Sequence, residues 1–219
     1  MSLSIKNLAI QNSRNEDLFP PLSFTIKPGE IWSLMGPSGC GKSTLLSIIA
    51  GHQLNDFKYR GDICLNQQLL NNIAPEKRKI GILFQDNLLF PHLNIWQNLA
   101  IALPDAVKKQ QRKEQAFNTL DELQLTFLAY HSPAQISGGQ RARISMMRML
   151  LAEPSAVLLD EPFNKLDKSL RKAFSTWVFA QIKIRKLPAL MVTHDQTDIP
   201  SKAHCLIWPW IENKEHVNA

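Results

Sequence analysis

Ile31-Trp32-Ser33-Leu34-Met35 is a short apolar run, Gly36-Pro37-Ser38-Gly39-Cys40-Gly41 is a loop of small residues, and Lys42-Ser43-Thr44 opens a run of helical texture to Ala50. Strand, glycine-rich loop and helix follow in that order, and Gly36 to Ser43 fits G-x-x-x-x-G-K-[ST] at every fixed position. The chemistry requires this pattern. Glycines let successive backbone N–H groups converge on phosphate oxygens, and the helix turns its positive end toward them. Lys42 is placed to reach the β- and γ-phosphates, and Ser43 to offer a hydroxyl to Mg²⁺. A glycine-rich turn that merely starts a helix is the plainer alternative, and the flanking strand and helix argue against it. The motif alone defines a P-loop nucleotide binder, a class that kinases, GTPases, motors and transport ATPases share.

Outward from that stretch, Ser4 to Ile10 and Leu22 to Ile26 alternate as strands, and Lys27-Pro28-Gly29 makes a turn. Ile80 to Phe84, Ala156 to Leu159 and Ala189 to Val192 are short apolar runs of the kind that forms buried strands, and Lys168 to Lys186 is helical between the last two. From Asn87 to Glu153 strand texture vanishes and apolar residues recur at helical spacing, as at Phe117, Leu120, Leu123 and Leu128. The expected fold is α/β: a P-loop NTPase core on a mostly parallel sheet, with an antiparallel β region near the N-terminus and an inserted α-helical subdomain. One domain over 1–219 is expected, with 1–85 and 156–219 as the nucleotide-binding core and 86–155 as the helical subdomain.

Composition bounds the setting. The chain has 219 residues, 44% hydrophobic and 20% charged, which excludes a disordered chain. Three cysteines, Cys40, Cys64 and Cys205, form neither a disulfide framework nor a zinc pattern and favour a reducing compartment. No signal-like segment opens the chain, and no run reaches the ~18 apolar residues of a spanning helix. A soluble, cytoplasmic protein is expected. The net charge of +6 suits nucleic acid, an anionic membrane surface, a phosphorylated ligand or simple solubility, and does not choose among them.

Two more segments carry chemistry. Ala156-Val157-Leu158-Leu159-Asp160-Glu161 is an apolar strand ending in adjacent carboxylates, where parallel sheets present groups to a ligand. There Asp160 suits Mg²⁺, a hard cation that prefers oxygen ligands, and Glu161 suits the polarising of a water beside the γ-phosphate. An ordinary strand-to-loop junction would also tolerate an Asp-Glu pair. Ile136-Ser137-Gly138-Gly139-Gln140 opens a helical run from Arg141 to Ala152, and Ser137 with Gln140 makes an S-x-x-Q capping box. A cap does not require two glycines. Bare backbone at a helix start invites close approach of an anion, so the chain holds two anion-seeking helix starts far apart in sequence.

Ile-Ser-Gly-Gly-Gln, with the phosphate loop before it and Leu-Leu-Asp-Glu-Pro after it, strongly resembles the signature arrangement of ATP-binding cassette (ABC) ATPases, and the likeness runs from Ser4 to His194. The resemblance implies a head-to-tail dimer with a second copy of this chain, closing on ATP. Gly36, Pro37, Ser38, Gly39, Cys40, Gly41, Lys42, Ser43 and Thr44 would bind ATP, and Ser137, Gly138, Gly139 and Gln140 would touch the partner's nucleotide in trans. Gln85 corresponds to the glutamine that contacts Mg²⁺ and the attacking water and hinges the helical subdomain. His194 corresponds to the switch histidine, and Asp167 falls in the dimer-contacting loop. The catalytic set is then Glu161, His194 and Gln85, and the Mg²⁺ set is Ser43, Gln85 and Asp160.

The segment Phe84-Gln85-Asp86-Asn87-Leu88-Leu89-Phe90-Pro91-His92 resembles that of bacterial binding-protein-dependent importers of the small thiamine, polyamine and iron group, where it helps form a groove for a membrane subunit. Plain packing of Leu88, Leu89 and Phe90 within the helical subdomain is the alternative. The resemblance implies an ATP-hydrolysing importer subunit, peripheral on the cytoplasmic side of the bacterial inner membrane. Its partners would be integral membrane permease subunits and, indirectly, an extracytoplasmic solute-binding protein, with no nucleic acid. An exporter cassette and a soluble cassette acting on nucleic acid or ribosomes are the alternatives. Too little chain follows His194 for the C-terminal regulatory domain of maltose- and sulfate-type relatives, and none is expected. Three departures stand out. No aromatic lies between Gln11 and Asn15 to stack on adenine, where Arg14 is planar and Phe19 is the nearest ring. Asn164-Lys165 replaces the usual Ser-Ala, and Ile136 replaces Leu.

Overall fold

Two sheets and five α-helices make up the computed structural model, which describes residues 1–86, 88–164, 166–201, 203–209 and 211–212. Asn87 and Lys165, both named above, lie outside the described residues. The smaller sheet is antiparallel, in the order β2 (Leu22–Ile26), β1 (Leu3–Asn12), β4 (Phe57–Leu65), β5 (Gln68–Leu69). The larger runs β10 (Ile211–Glu212), β9 (His204–Ile207), β3 (Ile31–Met35), β8 (Ala189–Thr193), β7 (Ala156–Asp160), β6 (Ile80–Leu83), and five of its six strands are parallel. The α/β class expected from sequence is the class observed.

β7 and β8 are buried at every position, which is why they read as unbroken apolar runs. Their side chains divide by parity between two cores. Ala156, Leu158, Leu190 and Val192 pack with the smaller sheet and with α1 (Lys42–Ala50). Val157, Leu159, Ala189 and Met191 pack with the helices of the other face: α2 (Ile95–Ala100), α3 (Lys109–Glu122), α4 (Gly138–Leu151) and α5 (Lys168–Ile184). The parallel sheet is thus the middle of three layers. Between β6 and β7 the described residues hold helices, turns and loops and no strand.

α1 is fastened at its far end. Gly51 takes the left-handed conformation (φ 93°) and its N–H reaches the Ile48 carbonyl, closing the helix as glycine does at this position. The buried Arg78 guanidinium donates to the Ile48 and Ile49 carbonyls and also to those of Ile73 and Asn71. A side chain at Gly51 would place its Cβ 2.5 Å from Arg78 Nε.

β4, β5, β9 and β10 are strands that the sequence reading did not find. β4 alternates as Phe57, Tyr59, Gly61, Ile63 and Leu65, but Gly61 interrupts the apolar pattern at its centre. Gly61 lies opposite the irregularity in β1 between Lys6 and Ala9, at φ 98°, and a Cβ there would sit 2.3 Å from the Asn7 carbonyl oxygen. The glycine is needed for the sheet and hides the strand.

Candidate active site at the carboxyl edge of the parallel sheet

Parallel register places the chemistry. Met35 is paired with Thr193, Val192 with Asp160, and Leu159 with Leu83, so four strands end side by side. The phosphate loop, His194 and Glu161 are the next residues along their segments and Gln85 follows Leu83 by two, and they share one edge, where parallel sheets bind ligands.

The loop from Gly36 to Gly41 leads into α1 through Gly41 at φ 94°, with no side-chain cap on the helix. A Cβ at Gly41 would lie 3.2 Å from Leu18 and 3.4 Å from Phe19, so glycine serves both the turn and the packing. Pro37, Ser38, Gly39 and Ser43 are exposed, with their backbone open to a ligand. Lys42 is the opposite: buried, with its ammonium donating to the carbonyls of Gly36 and Pro37 at 2.8 Å each. Trp208, which the sequence reading did not single out, donates its backbone N–H to Met35 and lies against Gly36.

Asp160 is buried at the end of β7. Burial pushes its carboxyl above the ordinary value, a hydrogen bond from Ser43 opposes that, the neighbouring Glu161 adds to it, and Lys42 opposes it again. Asp160 and Ser43, in hydrogen-bond contact, are hard oxygen donors of the kind that fit Mg²⁺, while Gln85, expected with them, is placed by its amide nitrogen on Glu161. Among the described residues no group of three or more His, Cys, Asp or Glu side chains is gathered to hold a metal ion.

Glu161 is the hub. It takes a positive φ of 45°, rare for a side-chain-bearing residue, and its N–H donates to the Val192 carbonyl. Its side chain is only 13% exposed. One oxygen, Oε1, lies 3.1 Å from His194 Nδ1, and the other, Oε2, accepts from Gln85 Nε2 at 3.4 Å and from Asn164 Nδ2. The structure therefore brings Glu161, Gln85 and His194 together within one chain. Asn164, noticed in the sequence only as a departure from pattern, joins them.

The His194 loop is held from α5. Arg171 makes a paired contact with Asp198 at 2.7 Å on both oxygens and reaches Asp195 at 2.9 Å. Thr193 Oγ1 donates to Asp198 at 2.8 Å. The Thr197 N–H, then its hydroxyl, hold the Asp195 carboxyl below the usual carboxylate range. Asp167 immediately precedes the same helix, and its carboxylate accepts from the Leu170 N–H.

Ser137 to Gln140 stand apart. The capping box read from the sequence is present: Gln140 N donates to Ser137 Oγ at 3.2 Å, and Ser137 N donates to Gln140 Oε1 at 2.9 Å. Ser137 and Gly138 are exposed, and among the described residues no hydrogen bond joins this turn to the phosphate loop. The neighbours of Gly139 are Leu166 and Leu170, beside Asp167.

Two adenine-stacking candidates fare differently. Phe19 is buried, with its ring edge-on to Trp208 at 6.5 Å, and offers no open face. Arg14 lies exposed in a turn that the Asn12 carboxamide organises by accepting from Arg14 N and Glu16 N. In the segment after Gln85, Leu89 is buried, as simple packing predicts, but Leu88 and Phe90 are 58% and 42% exposed. Asn98, itself buried, bonds both the N–H and the carbonyl of Phe90, so that exposure is fixed by the backbone. Leu88 and Phe90 border a groove of about 390 Å³ shared with Leu83, Phe84, Ile101 and Arg148.

The phosphate loop, the carboxylate pair and the glycine-rich helix start together define a nucleotide-binding cassette, and comparison with known proteins agrees. The family described as ABC transporter matches residues 19–164. An uncharacterised ABC transporter ATP-binding protein of Escherichia coli K12, YnjD, is 42% identical over 96% of this chain and 97% of its own length. The spermidine/putrescine import ATP-binding protein PotA of Legionella pneumophila (strain Paris) is 37% identical over 88% of this chain and 52% of its own. PotA of Bacillus thuringiensis (strain Al Hakam) is 34% identical over 93% and 61%. The chain thus spans little more than half the length of the PotA relatives. It belongs to the ABC transporter ATP-binding family and is an ATPase of that family. Among the described residues no helix is long and apolar enough to cross a membrane.

Proposed function

We propose that this chain is the ATP-hydrolysing subunit of an importer for a small solute, peripheral on the cytoplasmic face of the bacterial inner membrane. The observation that carries the hydrolytic part is the convergence of Gln85 and His194 on the Glu161 carboxylate, beside the phosphate loop. Lys42 would leave its two loop carbonyls for the β- and γ-phosphates, while the open backbone from Gly36 to Gly41 and the residues Ser43 and Thr44 bind the rest of the triphosphate. Ser43, Asp160 and Gln85 would hold Mg²⁺, which supplies neutralisation of phosphate charge. Glu161 takes a proton from water as the water oxygen bonds to the γ-phosphorus and the bond to the bridging oxygen breaks, releasing ADP. His194 orients Glu161 and meets the γ-phosphate.

A second copy completes each site. Ser137, Gly138, Gly139 and Gln140, which among the described residues make no hydrogen bond to their own phosphate loop, would meet the partner's nucleotide, with Asp167 in the loop between the copies. Residues 86–155 would act as a helical subdomain that moves about Gln85 when ATP closes the dimer. The exposed Leu88 and Phe90, set on a groove, support docking of separate membrane permease subunits, fed by an extracytoplasmic solute-binding protein. The import named for the PotA relatives favours an importer, and a net charge of +6 suits a protein beneath an anionic bilayer.

The test has two arms. Glu161→Gln should bind ATP as the parent does and lose roughly 10²–10⁴-fold in turnover; undiminished turnover rejects Glu161 as the base. Purification from detergent-solubilised membranes should bring down a multi-span permease. Recovery of nucleic acid or ribosomes instead, without a membrane protein, overturns the transport reading.

A further inference from the structure

Asn164 stands where the family resemblance expects serine, and it donates to the Glu161 carboxylate beside Gln85. It is delivered there by a fixed turn. Glu161 holds its left-handed φ of 45°, Pro162 and Phe163 are buried, and Asn164 N closes the turn on the Glu161 carbonyl at 3.3 Å. Asn164 is partly buried, so its amide is presented to Glu161 by the backbone rather than found by chance from solvent.

The two carboxylate oxygens are treated unequally. Each has two in-plane lone-pair sites. Oε2 receives Asn164 and Gln85, which fill both, whereas among the described residues Oε1 meets His194 alone. We propose that Asn164 is a positioning residue for ATP hydrolysis: it fixes the Glu161 carboxylate so that Oε1, on the His194 side, is the oxygen that accepts the proton of the attacking water. The water O–H bond breaks, its proton goes to Oε1, and its oxygen forms the new bond to the γ-phosphorus as the bridging oxygen leaves with ADP. A serine hydroxyl is one heavy atom shorter, so the asparagine amide extends further toward the base. Because Asn164 lies three residues before Asp167, the orientation is also tied to the loop placed between the two copies.

This inference rests on Glu161 being the base, and the experiment separates the two. In the purified protein, Asn164→Ala and the isosteric Asn164→Asp, which lacks the donor, should lower kcat for ATP roughly 10-fold, with KM within about twofold of the parent. Asn164→Gln, which keeps the amide, should recover part of the loss, and thermal unfolding should show all three folded. In nucleotide-free protein carrying ¹³C-labelled glutamate, the Glu161 carboxyl signal, assigned by its disappearance in Glu161→Gln, should move in Asn164→Ala. A parental or raised kcat in Asn164→Asp, a loss confined to KM, or an unmoved carboxyl signal overturns the role of Asn164. Undiminished turnover in Glu161→Gln instead removes the base itself, and the Asn164 proposal with it.

Discussion

The two anion-seeking helix starts of this chain are finished in opposite ways. α1 begins at a left-handed glycine with no side-chain cap, and the ammonium at its first residue rests on two loop carbonyls. α4 begins at Ser137 with its capping box closed, each side chain meeting the other's backbone N–H. The first end is left to be completed by a ligand. The second is complete by itself and needs a change of partners before it can grip anything. That contrast suits one site that binds nucleotide in its own chain and another that acts only when a second copy arrives.

The most severe way to break the contrast is at Lys42. Lys42→Ala should weaken ATP binding roughly 10- to 100-fold, the loss of a charge-assisted contact, by titration with a fluorescent nucleotide. The nucleotide-free fold should lose little, because the freed carbonyls lie in an exposed loop. Ser137→Ala should do the reverse. It removes a cap worth about 1 kcal/mol and should lower the unfolding midpoint by roughly 2–4 °C, while nucleotide affinity of the isolated chain stays at the parental level. An unchanged midpoint would mean the box does not hold α4 in solution.

The smallest effect is expected at Asp160. Its folded carboxyl titrates above the ordinary 3.8, chiefly through burial. The favourable contribution belongs to the protonated form; it is full below the unfolded value and is lost as pH rises through the raised folded value. Asp160→Asn should therefore stabilise the nucleotide-free chain slightly near neutrality and flatten the fall in its stability as pH rises above 3.8. Midpoints measured across that rise check the sign, and a destabilised chain at neutral pH would contradict it.

Legibility followed burial and periodicity. β3, β7 and β8 were readable because strands covered on both faces must be apolar throughout, and α1 because a motif with fixed positions opens it. β4 was not, since Gly61 removes the central side chain from an otherwise alternating strand. β9 was too short to show a period. Within the site, Gly36 to Ser43, Asp160, Glu161 and the Ser137–Gln140 box were legible as local pattern. The grouping of Glu161 with Gln85 and His194 came only through the family resemblance, and Asn164 was not foreseen, because parallel register, a nonlocal property, places their strands side by side. Nor was the Arg171 clamp, whose members lie far apart in sequence and resemble ordinary surface charges.

The guanidinium of Arg78 gives α1 a mechanical character. One end of the helix is open to phosphate, and the other is bolted through the Ile48 and Ile49 carbonyls to the segment that runs into β6 and on to Gln85. α1 is thus held at its carboxyl end while its first residue faces the phosphate loop, and past Leu83, where β6 ends, the same chain runs on toward Leu88 and Phe90.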